Sequence, residues 1–166
     1  PLPTLSSTSQ TYSSRKDTEA LYVCDVDESV GKGRLNGVGE RQGRMPEYAN
    51  DFRTVLEDPR VDIVTTATPN HWHALISILA LQAGKHVYVE KPVSHNVWEG
   101  RQIVHWARKL NRLCQCGTQS RSSPSLKAAH KWLHEGHLGA IQYAVGTCYK
   151  PRKSIGKLDQ PLVIPA

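Results

Sequence analysis

Apolar residues along the chain follow two alternating patterns. Short runs rich in Val, Ile and other apolar residues alternate with longer stretches in which apolar residues recur every three or four positions. The runs predict strands at 20–29, 61–67, 86–90, 113–117 and 140–149, and the stretches predict helices in part of 28–44 and at 51–58, 71–83, 96–110 and 123–135. Strands that alternate with helices long enough to be crossovers predict an α/β fold with a parallel sheet.

Local signals mark the ends of several predicted helices. Gly84 follows one helix where a C-terminal cap belongs, and Asn96 with Glu99 resembles a capping box. Ser123 and Pro124 suit the N-cap and first position of the last helix. In that helix we expect three residues to face inward: Leu126, Ala129 and Leu133.

Composition excludes several function classes. The chain has 166 residues, 39% of them hydrophobic, which is enough for one well-buried domain. Its formal charge of +6 is scattered along the chain, which favours a solvated basic surface over nucleic-acid binding. No apolar run approaches the roughly 18 to 20 residues that span a bilayer, so we expect no membrane partner. Residues 1–18, rich in Ser, Thr and Pro, are expected to form a flexible tail.

The cysteines do not follow a metal-binding pattern. All four lie within or beside apolar runs without a CxxC spacing: Cys24, Cys114, Cys116 and Cys148. Small buried residues are the favoured interpretation, and we expect no metal site.

Polar clusters follow four of the predicted strands. DVD at 25–27, TPN at 68–70, EKP at 90–92 and GTQSR at 117–121 fall where strands end. In parallel α/β sheets, ligands bind beyond the carboxyl ends of the strands. Because packing alone explains four such clusters poorly, they predict a ligand site at this edge of the sheet.

Four residues in or near these clusters also have a simpler structural explanation. Asp25 or Asp27 can accept hydrogen bonds from an adenosine ribose, but acids at strand ends also cap helices. The turn at Asn70 can present helix N-terminal amides to a ligand, although Asn70 is equally suited to be an N-cap. His73 fits capping or packing better than catalysis.

The cluster with the most specific functional signal is Glu90-Lys91-Pro92. A lysine at the open end of a parallel sheet, beside an acid and fixed by the following proline, is well placed to exchange a proton with a ligand carbonyl or hydroxyl. For Glu-Lys alone, a surface ion pair on a turn would be favoured.

The chain contains no GxGxxG phosphate loop. GKGRLNG at 31–37 follows an acidic strand end instead of preceding it, and its third glycine comes one residue late. We therefore interpret this stretch as a loosened helix.

Four motifs in order, VCDVDES, EDPRVDIVTTATPNHWHA, AGKHVYVEKP and GTQSRSSP, resemble the Gfo/Idh/MocA oxidoreductases, the family of glucose-fructose oxidoreductase and inositol dehydrogenase. The resemblance runs from about 20 to 157. It implies a Rossmann-type doubly wound parallel sheet, followed by the start of an α+β domain. It also implies hydride transfer between nicotinamide and a sugar, cyclitol or related polyol. Because Asp25 ends its strand and Val26, not an arginine, follows it, we expect NAD to be preferred to NADP.

The resemblance assigns roles residue by residue. Asp25 resembles the adenosine-ribose acid, and Lys91 the catalytic lysine beside nicotinamide and substrate, with Glu90 next to it at the cofactor. Gln119 falls where many members have Asn, and Arg121 where they have Arg, near cofactor and substrate. The cofactor-contacting turn with its supporting histidine comprises Ala67, Thr68, Pro69, Asn70 and His73.

The chain departs from the family pattern at both ends. The strand with GxGxxG is absent, and so is most of the second domain, whose Asp and His usually complete the active site. We therefore interpret the chain as a fragment that is inactive alone, with a tail at 1–18, a truncated NAD-binding domain at 19–121 and the start of a C-terminal domain at 122–166. The missing C-terminal sheet would form a homo-oligomer. The resemblance is compatible with the cytoplasm or with export by a twin-arginine signal outside this chain.

Two alternatives to a polyol oxidoreductase stay open. One is a glycosidase of the same fold that uses tightly held NAD for transient oxidation. The other is a nucleotide-binding module without turnover, against which Lys91 argues, since binding alone does not need it.

Overall fold

The computed structural model describes residues 17–147. In this part of the chain strands and helices alternate, as the pattern of apolar residues predicts. The strands are β1 Tyr22–Cys24, β2 Glu47–Ala49, β3 Ile63–Thr66, β4 His86–Glu90 and β5 Cys114–Gly117. The α-helices are α1 Glu28–Gln42, α2 Phe52–Glu57, α3 Asn70–Gln82, α4 Val97–Lys109 and α5 Pro124–His134. A 3-10 helix, Gln119–Ser122, precedes α5.

The paired strands are all parallel. Among the described residues, β1 pairs with β2, and a separate sheet has the order β3-β4-β5. The register places Thr66 opposite Val89, and Glu90 opposite Gly117, so the carboxyl ends of β3, β4 and β5 lie nearly level. The predicted α/β fold with parallel strands is confirmed.

The core lies between the three-stranded sheet and helices α3 and α4. Alternate residues of β4, Val87 and Val89, are buried there, as the period of two in HVYVE predicts. They pack in one cluster with residues of both helices, namely Ala74, Ala80, Leu81 and Ile103. Because each fully buried Val, Leu or Ile contributes about 1.5–3 kcal/mol, this cluster gives the turns at the strand ends a rigid support.

The predicted helix ends are confirmed where caps can be observed. Gly84 has a φ of 79°, the left-handed conformation that follows a helix end. The Asn96 side chain accepts a hydrogen bond from the Glu99 amide at 3.0 Å, while the Glu99 carboxylate accepts one from the His95 amide at 2.8 Å. This is a capping box shifted by one residue.

The helix predicted in part of 28–44 is confirmed: α1 runs over 15 residues, Glu28–Gln42, and includes the GKGRLNG stretch. Two of its four glycines, Gly31 and Gly39, serve close packing. A Cβ on Gly31 would overlap the ring of Tyr48, and one on Gly39 would overlap the sulfur of Met45. At these two positions the intrinsic cost of glycine in a helix is therefore offset by contacts that only glycine permits.

The strand predicted at 140–149 is not formed over residues 140–147. Its alternating apolar residues stay exposed, with Ile141 at 57%, Tyr143 at 82% and Val145 at 74%. A strand needs a hydrogen-bonding partner, and within the described part of the chain none pairs with this segment. Residues 148 and 149, and with them Cys148, lie outside the described residues.

Two expectations about burial are also wrong. In α5, Leu126 and Ala129 are exposed and Leu133 is half-buried, because the described residues leave this face open. Cys24 lies at the exposed end of the short strand β1. Cys114 in β5 is half-buried, and burial raises the pKa of its thiol to about 11, as expected of a packing residue.

The chain divides into two compact units between Thr118 and Gln119. The first unit holds both sheets, and the second holds the 3-10 helix and α5. Most of the tail predicted at 1–18 lies outside the described residues. No helix in the part that is described has the length and apolar character required to cross a bilayer.

Candidate functional site

The turn between β3 and α3 presents backbone donors that no side chain caps. Residues 67–70 are exposed, and Pro69 occupies the N-cap position of α3 without a side-chain hydrogen bond to the helix. Asn70 is the first helical residue, so the alternative that Asn70 is the N-cap is wrong. The Thr68 hydroxyl oxygen lies 3.1 Å from the hydroxyl oxygen of the buried Thr66, within hydrogen-bond distance. The first amides of α3 are therefore available to polar groups of a ligand.

His73 lies beneath this turn, in the first turn of α3. Its side chain is buried, with an exposed fraction of 1%. Nδ1 lies 2.6 Å from the carbonyl oxygen of Pro92, and Nε2 lies 2.8 Å from the carbonyl oxygen of Thr68. One ring thus contacts both the turn after β3 and the turn after β4.

The turn after β4 carries Lys91 at the surface. The Lys91-Pro92 peptide is cis, and Lys91 is exposed. Within residues 17–147 the ammonium group has no hydrogen-bond or ion-pair partner, so the alternative of a Glu-Lys surface ion pair does not hold there. The preceding residue, Glu90, is half-buried and places its carboxylate over Gly117 at the end of β5.

Asp25 and Asp27, at the end of β1, have different roles. Asp27 is the N-cap of α1; hydrogen bonds from the Ser29 hydroxyl and from the amides of Val30 and Ser29 hold the pKa of its carboxyl below the usual range. Asp25 accepts the Asp27 amide at 2.9 Å through Oδ1, and its carbonyl accepts the Tyr48 hydroxyl at 2.8 Å. The Asp27 carboxylate is thus engaged through Oδ1 in capping α1, whereas the Asp25 carboxylate caps no helix and accepts one backbone amide.

Gln119 and Arg121 lie on the 3-10 helix of the second unit, immediately after Thr118. Both are exposed within that unit.

The structure brings together part of the predicted set. The turn at 67–70, His73 and the Lys91-Pro92 turn are joined by hydrogen bonds, whereas Asp25 lies at the end of the other sheet. Sequence reasoning missed the residues that support these groups: Gly31 and Tyr48 beside Asp25, and Gly117 beneath Glu90. Only the glycines carried a signal, as glycine inside a helix or strand often marks close approach.

Comparison with known proteins identifies a family. Residues 10–118 match the family model described as "Oxidoreductase family, NAD-binding Rossmann fold". Together with the parallel strands, this match confirms the predicted Rossmann-type fold.

Three curated relatives are informative. Levoglucosan dehydrogenase of Pseudarthrobacter phenanthrenivorans is 35% identical over 59% of this chain and 25% of its own length. The scyllo-inositol 2-dehydrogenase (NAD(+)) of Bacillus subtilis is 31% identical over 76% of this chain and 36% of its own. A glycosyl hydrolase family 109 protein of Shewanella sp. (strain W3-18-1) is 31% identical over 58% of this chain and 22% of its own. The chain thus spans no more than 36% of any of these three.

A solved structure of levoglucosan dehydrogenase in complex with NADH and levoglucosan matches with a TM-score of 0.60 and 27% identity. The match covers 74% of this chain and 32% of that one.

Proposed function

Because this chain belongs to the Gfo/Idh/MocA family of NAD-binding oxidoreductases, we propose that its full-length protein transfers hydride between a sugar, cyclitol or related polyol and nicotinamide, with NAD preferred to NADP. The observation that carries the proposal is Lys91, exposed at the carboxyl end of β4 and joined through His73 to the uncapped turn before α3. The relatives named as dehydrogenases of levoglucosan and scyllo-inositol support a polyol substrate.

The described residues fit NAD at two points. Asp25 ends a strand with its Oδ2 in no hydrogen bond among the described residues, which suits the ribose hydroxyls. The uncapped amides at the start of α3 suit polar groups of the cofactor, with Ala67, Thr68, Pro69 and Asn70 lining the turn.

Lys91 would exchange the proton of the reacting substrate hydroxyl, because its ammonium group lies at this edge without a protein partner among the described residues. Asp25 would hold the ribose, and Glu90 would fix the start of the Lys91 turn. Gln119 and Arg121 would contact cofactor and substrate. When bound, NAD supplies the hydride acceptor.

The test of this proposal is Lys91→Ala in the full-length protein. Loss of an acid or base should lower turnover of levoglucosan or scyllo-inositol by about a hundredfold to ten-thousandfold, while the Kd for NAD changes far less. Lys109→Ala, at the opposite end of α4, is the matched control and should leave turnover unchanged. Unaltered turnover in Lys91→Ala would leave the lysine as a turn residue.

Cofactor preference tests the role of Asp25. A 2′-phosphate would meet the Asp25 carboxylate with Val26, not an arginine, as the next residue, so NADP should bind more weakly than NAD. A charge-assisted hydrogen bond of about 1.5–3 kcal/mol corresponds to about tenfold or more in Kd. Calorimetric titration should show this difference between the Kd values for NAD and NADP, and the difference should be smaller in Asp25→Asn. Tighter binding of NADP by the unaltered protein would contradict the assignment.

The similarity to a glycosyl hydrolase family 109 protein favours one second candidate, an NAD-dependent glycosidase. The two functions differ in product. An oxidoreductase forms one NADH per substrate oxidised, whereas a glycosidase with transient oxidation releases sugar from a glycoside without net NADH. Measuring both products from one incubation with an aryl glycoside and NAD separates them.

A further inference from the structure

One imidazole ring connects the two turns of the candidate site. The His73 ring is buried, and each of its nitrogens lies within hydrogen-bond distance of a backbone carbonyl oxygen, Thr68 on one side and Pro92 on the other. Carbonyl oxygens only accept hydrogen bonds, so the ring is the donor in whichever contact carries the proton, since a neutral imidazole has a single N–H, on either nitrogen. With both nitrogens directed at protein backbone, the ring serves the positions of its neighbours instead of contacting a ligand.

The strand ladder does not extend to these turns. Pairing between β3 and β4 ends at Thr66 and Val89, before Thr68 on one strand and Pro92 on the other. Among the described hydrogen bonds, those of His73 are the ones that link residues 67–70 to residues 91–95. The spacing of the two turns therefore depends on this ring.

We propose that His73 is a positioning residue that holds Lys91 at a fixed distance from the turn at Thr68. The proposal rests on the function proposed above, since Lys91 has to meet a substrate held beside the cofactor at that turn. A shift of about 1 Å in reacting groups can cost about a hundredfold in rate. Loss of the bridge should therefore lower kcat much more than it weakens binding.

The first experiment measures the bridge without cofactor or activity. His73→Phe fills the space without a donor, His73→Gln keeps N–H donors, and His71→Phe changes the exposed neighbour on the same helix as the control. Amide hydrogen exchange is followed by mass spectrometry in peptides spanning 64–76 and 86–96. We expect faster exchange in both peptides for His73→Phe, a smaller change for His73→Gln and no change for the control. Faster exchange only in the peptide that contains position 73 would overturn the bridge.

The second experiment measures catalysis in the full-length protein. His73→Phe should lower kcat by about ten- to a hundredfold with a much smaller change in KM and in the Kd for NAD, and His73→Gln should recover part of that loss. Unchanged kcat in His73→Phe would overturn the positioning role. If His73→Phe does not fold, the kcat of His73→Gln tests the proposal instead. If His73→Gln also fails to fold, the ring serves core stability and the proposal is overturned. If the unaltered protein turns over no polyol, the proposed function fails, whereas the exchange experiment still tests the bridge.

Discussion

At the scale of single residues, Gly117 provides the space that Glu90 occupies. A Cβ on Gly117 would lie 2.8 Å from Oε2, 3.0 Å from Cδ and 3.1 Å from Oε1 of Glu90. Since all three atoms are at the far end of a side chain, Glu90 would move aside at little cost in stability. The residue that it precedes, Lys91, would then lose part of its support.

Gly117→Ala should therefore impair activity more than folding. We expect turnover to fall by up to about a hundredfold, because small displacements of reacting groups are costly, while the melting temperature changes little. Gly33→Ala is the control: a Cβ there meets nothing within 4 Å, and alanine in a helix is favoured over glycine by about 1 kcal/mol. If both variants are equally active, Gly117 has no role in placing Glu90.

The sequence predicted which residues lie at strand ends, but it did not predict which residues they contact. Lys91 and Thr68 could be placed from sequence, because apolar runs end just before them. The contact between His73 and the Pro92 carbonyl joins positions 19 apart, and it depends on how β3 and β4 are aligned. The place of Gly117 under Glu90 depends on register in the same way. Local alternation indicates which face of each strand is buried, but it does not identify which residues of two distant strands lie opposite each other.

At the scale of elements, a polar network ties β1 to the end of α2. Asp58 accepts hydrogen bonds from the Tyr22 hydroxyl at 2.7 Å and from the Arg60 guanidinium at 2.6 Å, and its carbonyl accepts one from Lys85 at 2.7 Å. The Arg60 guanidinium, followed by the Tyr22 hydroxyl, holds the pKa of the Asp58 carboxyl well below its usual range. This network connects the two described sheets at the end opposite the candidate site.

The network predicts a specific loss of stability in acid. A carboxyl with a lowered native pKa stabilises the fold above its unfolded pKa of about 3.9, and this contribution is lost as the pH falls below that value. At pH 7, Asp58→Asn should melt at a lower temperature than the unaltered protein. On acidification from pH 7 to pH 3, its melting temperature should fall by less than that of the unaltered protein. Glu57→Gln changes an exposed neighbour and is the control. Its melting temperature should depend on pH as that of the unaltered protein does. Identical pH profiles for Asp58→Asn and the unaltered protein would contradict the role of the network.

Sequence patterns predicted the long elements better than the short ones. Helices α3 and α4 have a clear period and marked ends, and both formed within two residues of their expected positions. Strand β2 was missed because its three residues, EYA, are too few to show a period. The strand predicted at 140–149 does not form over the described residues 140–147. The segment has the correct alternation, but alternation gives no partner, and strands form only in pairs.

At the scale of the whole molecule, the described strands form two separate parallel sheets instead of one doubly wound sheet. In the order 3-2-1-4-5-6, β1 and β2 correspond to strands two and three, and β3, β4 and β5 to strands four, five and six. The position between β1 and β3 belongs to a strand followed by GxGxxG, and the 166-residue chain has no such motif. Among the described residues, β1 and β3 each pair on one side only.

Residues 1–166 expressed alone should therefore associate and should bind NAD weakly. Unpaired strand edges favour association with other chains, and a missing phosphate loop removes the amides that hold the pyrophosphate. Light scattering after gel filtration should show species larger than a monomer, and calorimetry should show weaker NAD binding than in a protein extended by a strand with GxGxxG. The extended protein is the control, because it keeps Asp25 and Lys91 and differs in the strand and its loop. A monomer of residues 1–166 that melts cooperatively and binds NAD as tightly as the extended protein would show that β1 and β3 do not need a strand between them.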